Sequence, residues 1–112
     1  MPKPPPPMPA AVRRALTELG ADLSAARRRR RLSQSVVAAR ALTTRQTIAR
    51  IEDGDPSVAW GTWATVFFVL GLLDRLKDAA SPAQDELGLA LARAQLPRRV
   101  RVPQLRGTRP KE

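Results

Sequence analysis

The 112 residues carry twenty Lys and Arg against ten Asp and Glu, a net charge of +10, and neither Cys nor His. The missing thiols and imidazoles exclude disulfides, thiol catalysis and the usual zinc ligands, and suit a reducing cytoplasm. The charge admits DNA, RNA, an acidic partner or a membrane surface without choosing among them. Most of the cations are Arg, whose planar fork donates bidentately to phosphate. The longest apolar run, 66–73, is too short to span a bilayer, and a core-forming span of roughly seventy residues predicts one small domain with tails.

Residues 1–9, MPKPPPPMP, are expected to be a disordered leader, because proline removes donors and restricts the residue before it. The leader is either a solubilising tail or a ligand for a proline-reading partner. From 10 to 31, Val12, Leu16, Leu19, Leu23 and Ala26 step by four and three, which predicts an amphipathic helix. It ends in five arginines, 27–31, readable as a solvated end favoured by the helix dipole or as phosphate clamps.

The stretch 33–54, SQSVVAARALTTRQTIARIEDG, predicts two short helices joined by a turn. The first runs over 34–41 behind Ser33 as its cap, the second over 45–52 behind Thr44, with Gly54 past its end. Val37, Ala38, Ile48 and Ile51 form the apolar face, and Ala38 is small enough for a second helix to cross closely. The opposite face of the second helix carries Arg45, Gln46, Ala49 and Arg50, with no carboxylate before Glu52. A cationic, amide-rich face suits a polyanion with hydrogen-bonding edges, for which a DNA major groove is the obvious candidate.

Asp55-Pro56 then breaks the helix. Trp60, Trp63, Phe67 and Leu70 stand three, four and three apart and predict a helix over 59–70, interrupted at Gly71. Such an aromatic stripe reads as core, or alternatively as a ligand pocket or base-stacking surface. Trp60, Phe68 and Leu72 exceed what one small core hides, and an apolar remainder of that kind marks a dimer or partner face. Leu72, Leu73, Leu76 and Ala80 continue as a fifth helix. Ser81 is expected to cap a sixth through Leu96, with Asp85 and Glu86 in its first turn and Leu87, Leu91 and Ala94 on one face. In the basic remainder, Val100 and Val102 alternate with Arg99 and Arg101, a pattern for a strand-like arm or for a flexible tail that attracts phosphates. Enzymatic work would fall to Glu52, Asp53 and Asp55, for which capping is the simpler explanation, so no enzyme is expected.

The residues Leu32-Ser33-Gln34, Val37-Ala38, Thr44, Thr47-Ile48, Ile51-Glu52 and Gly54 resemble the pattern L-S-Q-x-x-[LV]-A, turn, [ST]-x-x-[TS]-I-x-x-[IL]-E-x-G of the phage-repressor-like, or Xre-type, helix-turn-helix proteins. The resemblance covers about Leu19 to Leu76. The segment from Gly54 to Val58 with Gly61-Thr62, together with the basic tail, is similar to the HipB-like antitoxin branch. The resemblance implies an all-α fold: a five-helix domain over 10–80, followed by a further helix and basic tail over 81–112.

It also implies a cytoplasmic, sequence-specific regulator of transcription, in the first instance a repressor, binding double-stranded DNA as a homodimer on an inverted repeat, without cofactor, metal or membrane. By correspondence Arg45 and Gln46 reach base edges, Thr44, Thr47 and Arg50 lie beside them, and Gln34 anchors a phosphate. Arg27 pairs with Glu52, and Ala38, Ile48 and Ile51 are structural. An antitoxin-like protein that neutralises a partner toxin and autoregulates its operon is the alternative, and general RNA binding a third. Two departures stand in the turns: Leu42-Thr43 where the family has Gly and an apolar residue, and Arg31 where it ends the first helix with Gly. Leu42 must therefore take another turn or a left-handed conformation costing roughly 1–2 kcal/mol.

Overall fold

Apolar residues recurring at three and four wind residues 7–95, the part of the chain that the computed structural model describes, into helices; no strand occurs among them. Helix α1 spans Ala10–Arg29, α2 Gln34–Arg40, α3 Arg45–Glu52, α4 Trp60–Val69 and α5 Leu73–Asp78. A 3-10 turn over Pro82–Gln84 and helix α6 over Glu86–Gln95 complete the described residues. No described helix is long and apolar enough to cross a membrane. The described residues fall into two compact units, the first ending at Leu76 and the second beginning at Lys77.

Helices α1 to α4 all stop in the same way. The residues after their ends, Arg31, Leu42, Gly54 and Gly71, have φ of 56°, 58°, 80° and 77°. In each case the next N–H reaches back five residues: Leu32 to the Arg27 carbonyl, Thr43 to Ala38, Asp55 to Arg50 and Leu72 to Phe67. This left-handed close satisfies carbonyls that the helix itself leaves unpaired. Two of the four use glycine; Arg31 and Leu42 adopt the same conformation with a side chain attached, which resolves both departures from the expected turns.

The core of the first unit joins Leu23 and Ala26 of α1, Val37 and Ala38 of α2, Ile48 and Ile51 of α3, Val58, and Trp63, Val66 and Phe67 of α4 with Leu70. Ile48 and Ile51 are wholly buried. The predicted α1 stripe reaches this core only from Leu16 onward, and Val12 is 44 % exposed. On α4 the stripe divides. Trp63 and Phe67 are buried, Trp60 and Phe68 stay 64 % and 66 % exposed, and Leu72 is half-buried against the core rather than exposed.

Two glycines set how closely α1 and α3 approach. A Cβ on Gly20 would lie 2.5 Å from the Ile51 carbonyl oxygen and 2.8 Å from that of Glu52. One on Gly54 would lie 2.6 Å from the Thr17 Cα. The end of α3 is thus laid backbone to backbone against the middle of α1.

In the second unit Ser81 does not cap α6. It precedes the 3-10 turn, and Asp85 takes the capping position, its side chain accepting from the Gly88 N–H at 3.0 Å. Pro82 starts a turn too tight to continue into the α-helix, so the α-helix begins at Glu86. Similarly α5 stops at Asp78, before Ala80. No residue of α6 is buried. Leu96 and the expected arm at Val100 and Val102 lie outside the described residues, as does most of the proline leader.

Candidate nucleic-acid interface

Helices α2 and α3 are short, so their start points depend on local chemistry more than on propensity. The Ser33 Oγ accepts from the Val36 N–H at 3.0 Å, and the Thr44 Oγ1 from the Thr47 N–H at 3.2 Å. Each hydroxyl satisfies a donor that has no partner inside its helix. Between them Leu42 closes α2 and redirects the chain, its side chain 93 % exposed at the outside of the turn. Ala38 and Ile48 share the buried cluster, which holds the inner face of α3 and leaves Thr44, Arg45, Gln46 and Arg50 exposed. Thr47 is half-buried, with its Oγ1 3.0 Å from that of Thr44.

One polar chain then runs from α1 to the open end of α3. Arg27 grips Glu52 bidentately, Nε to Oε2 at 2.6 Å and Nη2 to Oε1 at 3.1 Å, while its Nη1 donates to the Leu32 carbonyl at 2.8 Å. Gln34 Nε2 donates to Glu52 Oε1 at 3.0 Å, and Arg45 Nη1 donates to Gln34 Oε1 at 3.1 Å. The orientation of the Gln34 amide follows from these partners. An ionised carboxylate only accepts and a guanidinium only donates, so nitrogen faces Glu52 and oxygen faces Arg45.

Burial pulls the Glu52 carboxyl up. Hydrogen bonds from Arg27 and Gln34, the Arg27 charge and a hydrogen bond from Ser24 outweigh it, and the carboxyl ends below its ordinary value. The geometry agrees with that balance, since Arg27 and Glu52 keep only 13 % and 9 % of their side chains exposed. A charge left that dry is tolerated because it is paired and hydrogen-bonded.

Arg50 is engaged elsewhere. Its Nε donates to Asp55 Oδ2 at 2.9 Å and its Nη2 to Ser57 Oγ at 2.7 Å. Asp55 also accepts from the Ser57 N–H at 2.8 Å and Oγ at 2.7 Å. The Ser57 hydroxyl and N–H, then Arg50, hold the Asp55 carboxyl down to about 2. Arg50 therefore fastens the loop after α3 as well as presenting charge. Among the arginines at the end of α1, Arg28 and Arg30 donate to the carbonyls of Ser24 and Ala26, the dipole-matched arrangement for a helix C-terminus. Arg29, Arg31 and Arg40 are exposed.

The assembled surface is thus a cationic, amide-bearing helix start backed by Glu52, whose charge Arg27 offsets from behind. It can donate to anionic oxygens and present Arg and Gln forks to flat hydrogen-bonding edges. Sequence reading missed Gly20, although a glycine in the middle of a strong helical stripe is itself a signal of close backbone approach. It also missed the double engagement of Gln34, for which no local signal exists. Among the described residues no cluster of carboxylates is suited to hold a metal.

The family described as a helix-turn-helix domain matches residues 18–80, more than half of the chain, from within α1 to just beyond α5. No curated protein and no solved structure matches.

Proposed function

The chain belongs to the helix-turn-helix domain family, and from that premise we propose that it is a sequence-specific transcriptional regulator, a repressor of Xre type, that reads the major groove with α3. The observation that carries this reading is the Arg27–Glu52–Gln34–Arg45 chain. It holds Arg45 in one pose at the exposed start of α3, beside Gln46. A prearranged fork loses little side-chain freedom on meeting a base, which favours sequence reading over loose charge attraction.

In this reading Arg45 addresses guanine O6 and N7, and Gln46 addresses adenine N6 and N7. Thr44, Thr47 and Arg50 line the contact, while Gln34, whose Oε1 keeps its bond from Arg45, donates the second hydrogen of its Nε2 to a phosphate oxygen at the start of α2. One module makes few base contacts, so a homodimer on an inverted repeat with half-sites about one helical turn apart completes the site. The working part is residues 10–80, with 1–9 a leader and 81–112 an accessory helix and basic tail, in a cytoplasmic protein without catalytic activity.

Selection of bound sequences from a random duplex pool at near-physiological salt tests the proposal. The expected result is a two-fold symmetric motif bound about a thousand-fold or more above random duplex. Uniform recovery of all sequences, or preference for single-stranded RNA, would refute it.

A second reading keeps DNA binding and adds a protein partner, as in HipB-like antitoxins. What favours it is α6, where Leu87 and Leu91 are 71 % and 54 % exposed. A toxin-like coding frame adjoining the gene, and a stable complex between the two products, would support it.

A further inference from the structure

We propose that the groove between the first half of α1 and the start of α4 is the seat of the chain's own proline leader, with residues 2–6 laid across the exposed ring of Trp60 as a polyproline II strap. The groove has a volume of about 240 Å³ and is lined by Met8, Leu16, Pro56, Val58, Trp60 and Trp63. Val58 and Trp63 are buried, whereas Trp60 is 64 % exposed and marks the side on which the groove opens. The volume lies below the roughly 300–1,000 Å³ of small-molecule sites. All six lining side chains are uncharged, so a polyanion has nothing to pair with here.

Two observations select the leader as the occupant. The first is continuity. Met8 belongs to the leader, is half-buried and already lines the groove. Pro9, the next residue, has φ −58° and ψ 147°, which is polyproline II backbone. Any other occupant would have to displace Met8 or share the groove with it. The leader also needs only a weak contact, because a tethered segment acts at an effective concentration in the millimolar range.

The second is period. Polyproline II has three residues per turn and rises about 3.1 Å per residue. Counting back from Met8 in threes, positions 5 and 2 fall on the same side, and both are Pro, while Lys3 falls on another side. The side that seats Met8 is therefore apolar over about 19 Å. Pro4 to Pro7 favour this conformation, because proline fixes its own φ and biases the residue before it toward extended backbone. Proline-rich segments of this kind dock in grooves lined by aromatic side chains, and Trp60 stands at the mouth of this one.

The strap ties the start of α1, which has no side-chain cap, to the start of α4, and it engages the leader that a proline-reading partner would otherwise find free. The family match begins at residue 18, so Met8, Leu16 and the leader lie outside the matched domain and the strap is an addition to it. It stands independently of the operator and homodimer readings.

The test combines Pro4→Gly, Pro5→Ser, Pro6→Gly and Pro7→Ser in the full-length protein. This keeps the leader's length and every helix-forming residue while removing the polyproline bias. Tryptophan fluorescence reports the outcome, since the chain has two Trp and Trp63 is buried. The quadruple variant is expected to show red-shifted emission and stronger acrylamide quenching than wild type, with the helical circular dichroism signal unchanged. In a Trp60→Phe background the same four substitutions should leave emission and quenching as they were. Wild-type emission should also stay constant over about a hundred-fold dilution, as an intramolecular contact requires.

Equal emission and quenching in wild type and variant, or a blue shift, overturns the proposal, as does a red shift that persists in the Trp60→Phe background. Protection of Trp60 that is lost on dilution also overturns it, and assigns the groove to a second copy. None of these measurements involves DNA, so their failure is distinct from failure of the duplex selection.

Discussion

Helices α3 and α4 sit on the same core and differ on the side that faces away from it. Each buries its inner residues almost completely, Ile48 and Ile51 on one, Trp63 and Phe67 on the other. Outside, α3 shows Arg45, Gln46 and Arg50, whereas α4 shows Trp60 and Phe68 with no charge. Burial thus explains half of each helix, and the other half must be explained by what it meets. A cationic, hydrogen-bonding face held by a polar chain fits a polyanion, and an uncharged aromatic face fits another apolar surface.

The largest effects should come from the inner faces. Ile48→Ala removes a wholly buried side chain and is expected to destabilise by about 2–5 kcal/mol in urea unfolding. Phe68→Asp on the outer face should change stability by less than about 0.5 kcal/mol. If Phe68→Asp costs as much as Ile48→Ala, the outer face of α4 is part of the core and the contrast disappears.

Next comes the support behind α3. Glu52→Ala leaves Arg27 with little solvent and no carboxylate, and should destabilise by about 3 kcal/mol, the low end for a broken buried pair. The pH dependence has a definite sign. Glu52 and Asp55 both titrate below their ordinary values of 4.5 and 3.8 in the folded chain. Folding therefore favours their charged forms, and the stability they contribute is complete above those values. It is lost as pH falls through the folded values, reaching about 2 for Asp55. Glu52→Gln should flatten that acid limb; an unchanged acid profile would mean that Arg27 does not hold Glu52 in solution.

On the outer face of α3, Arg45→Ala should weaken cognate duplex binding by about 1–3 kcal/mol and relax one base position, with random duplex much less affected. Equal loss on both would reduce Arg45 to a phosphate contact. Gln34→Ala should act in the same direction more weakly, through loss of the held Arg45 pose, and its effect should shrink in the Arg45→Ala background.

The smallest effect concerns the helix ends. Leu42→Gly relieves a left-handed residue with a side chain, at φ 58°, and should stabilise by about 0.5–1 kcal/mol after the greater freedom of glycine in the unfolded chain is counted. Gly71→Ala, at φ 77° with open space around it, should destabilise by a similar amount. Melting temperatures moving in the same direction for both would contradict the equivalence of the two ends.

Much of this was legible from residue order. The bounds of α3, the caps Ser33 and Thr44, the buried Val37, Ala38, Ile48 and Ile51, and the left-handed Gly54 all follow from short-range rules, because caps, turns and helical faces are set within a few residues. The start of α6 was misplaced because two capping residues, Ser81 and Asp85, stand one turn apart and only the geometry of the proline turn chooses between them. Arg31 and Leu42 carry no glycine signal, so only the coordinates identify their turns as the same closure that Gly54 and Gly71 make.

By itself the sequence determined that the chain is helical, where its short helices start, and which side of each is greasy. Tertiary structure alone decided that Gly20 must be bare for α3 to lie against α1, and that Gln34 is gripped from both sides by Glu52 and Arg45. It also decided which of the aromatic residues remain outside. The reason is distance along the chain: a cap or a stripe is settled within one or two helical turns, whereas Arg27 and Glu52 stand 25 residues apart and meet only after folding.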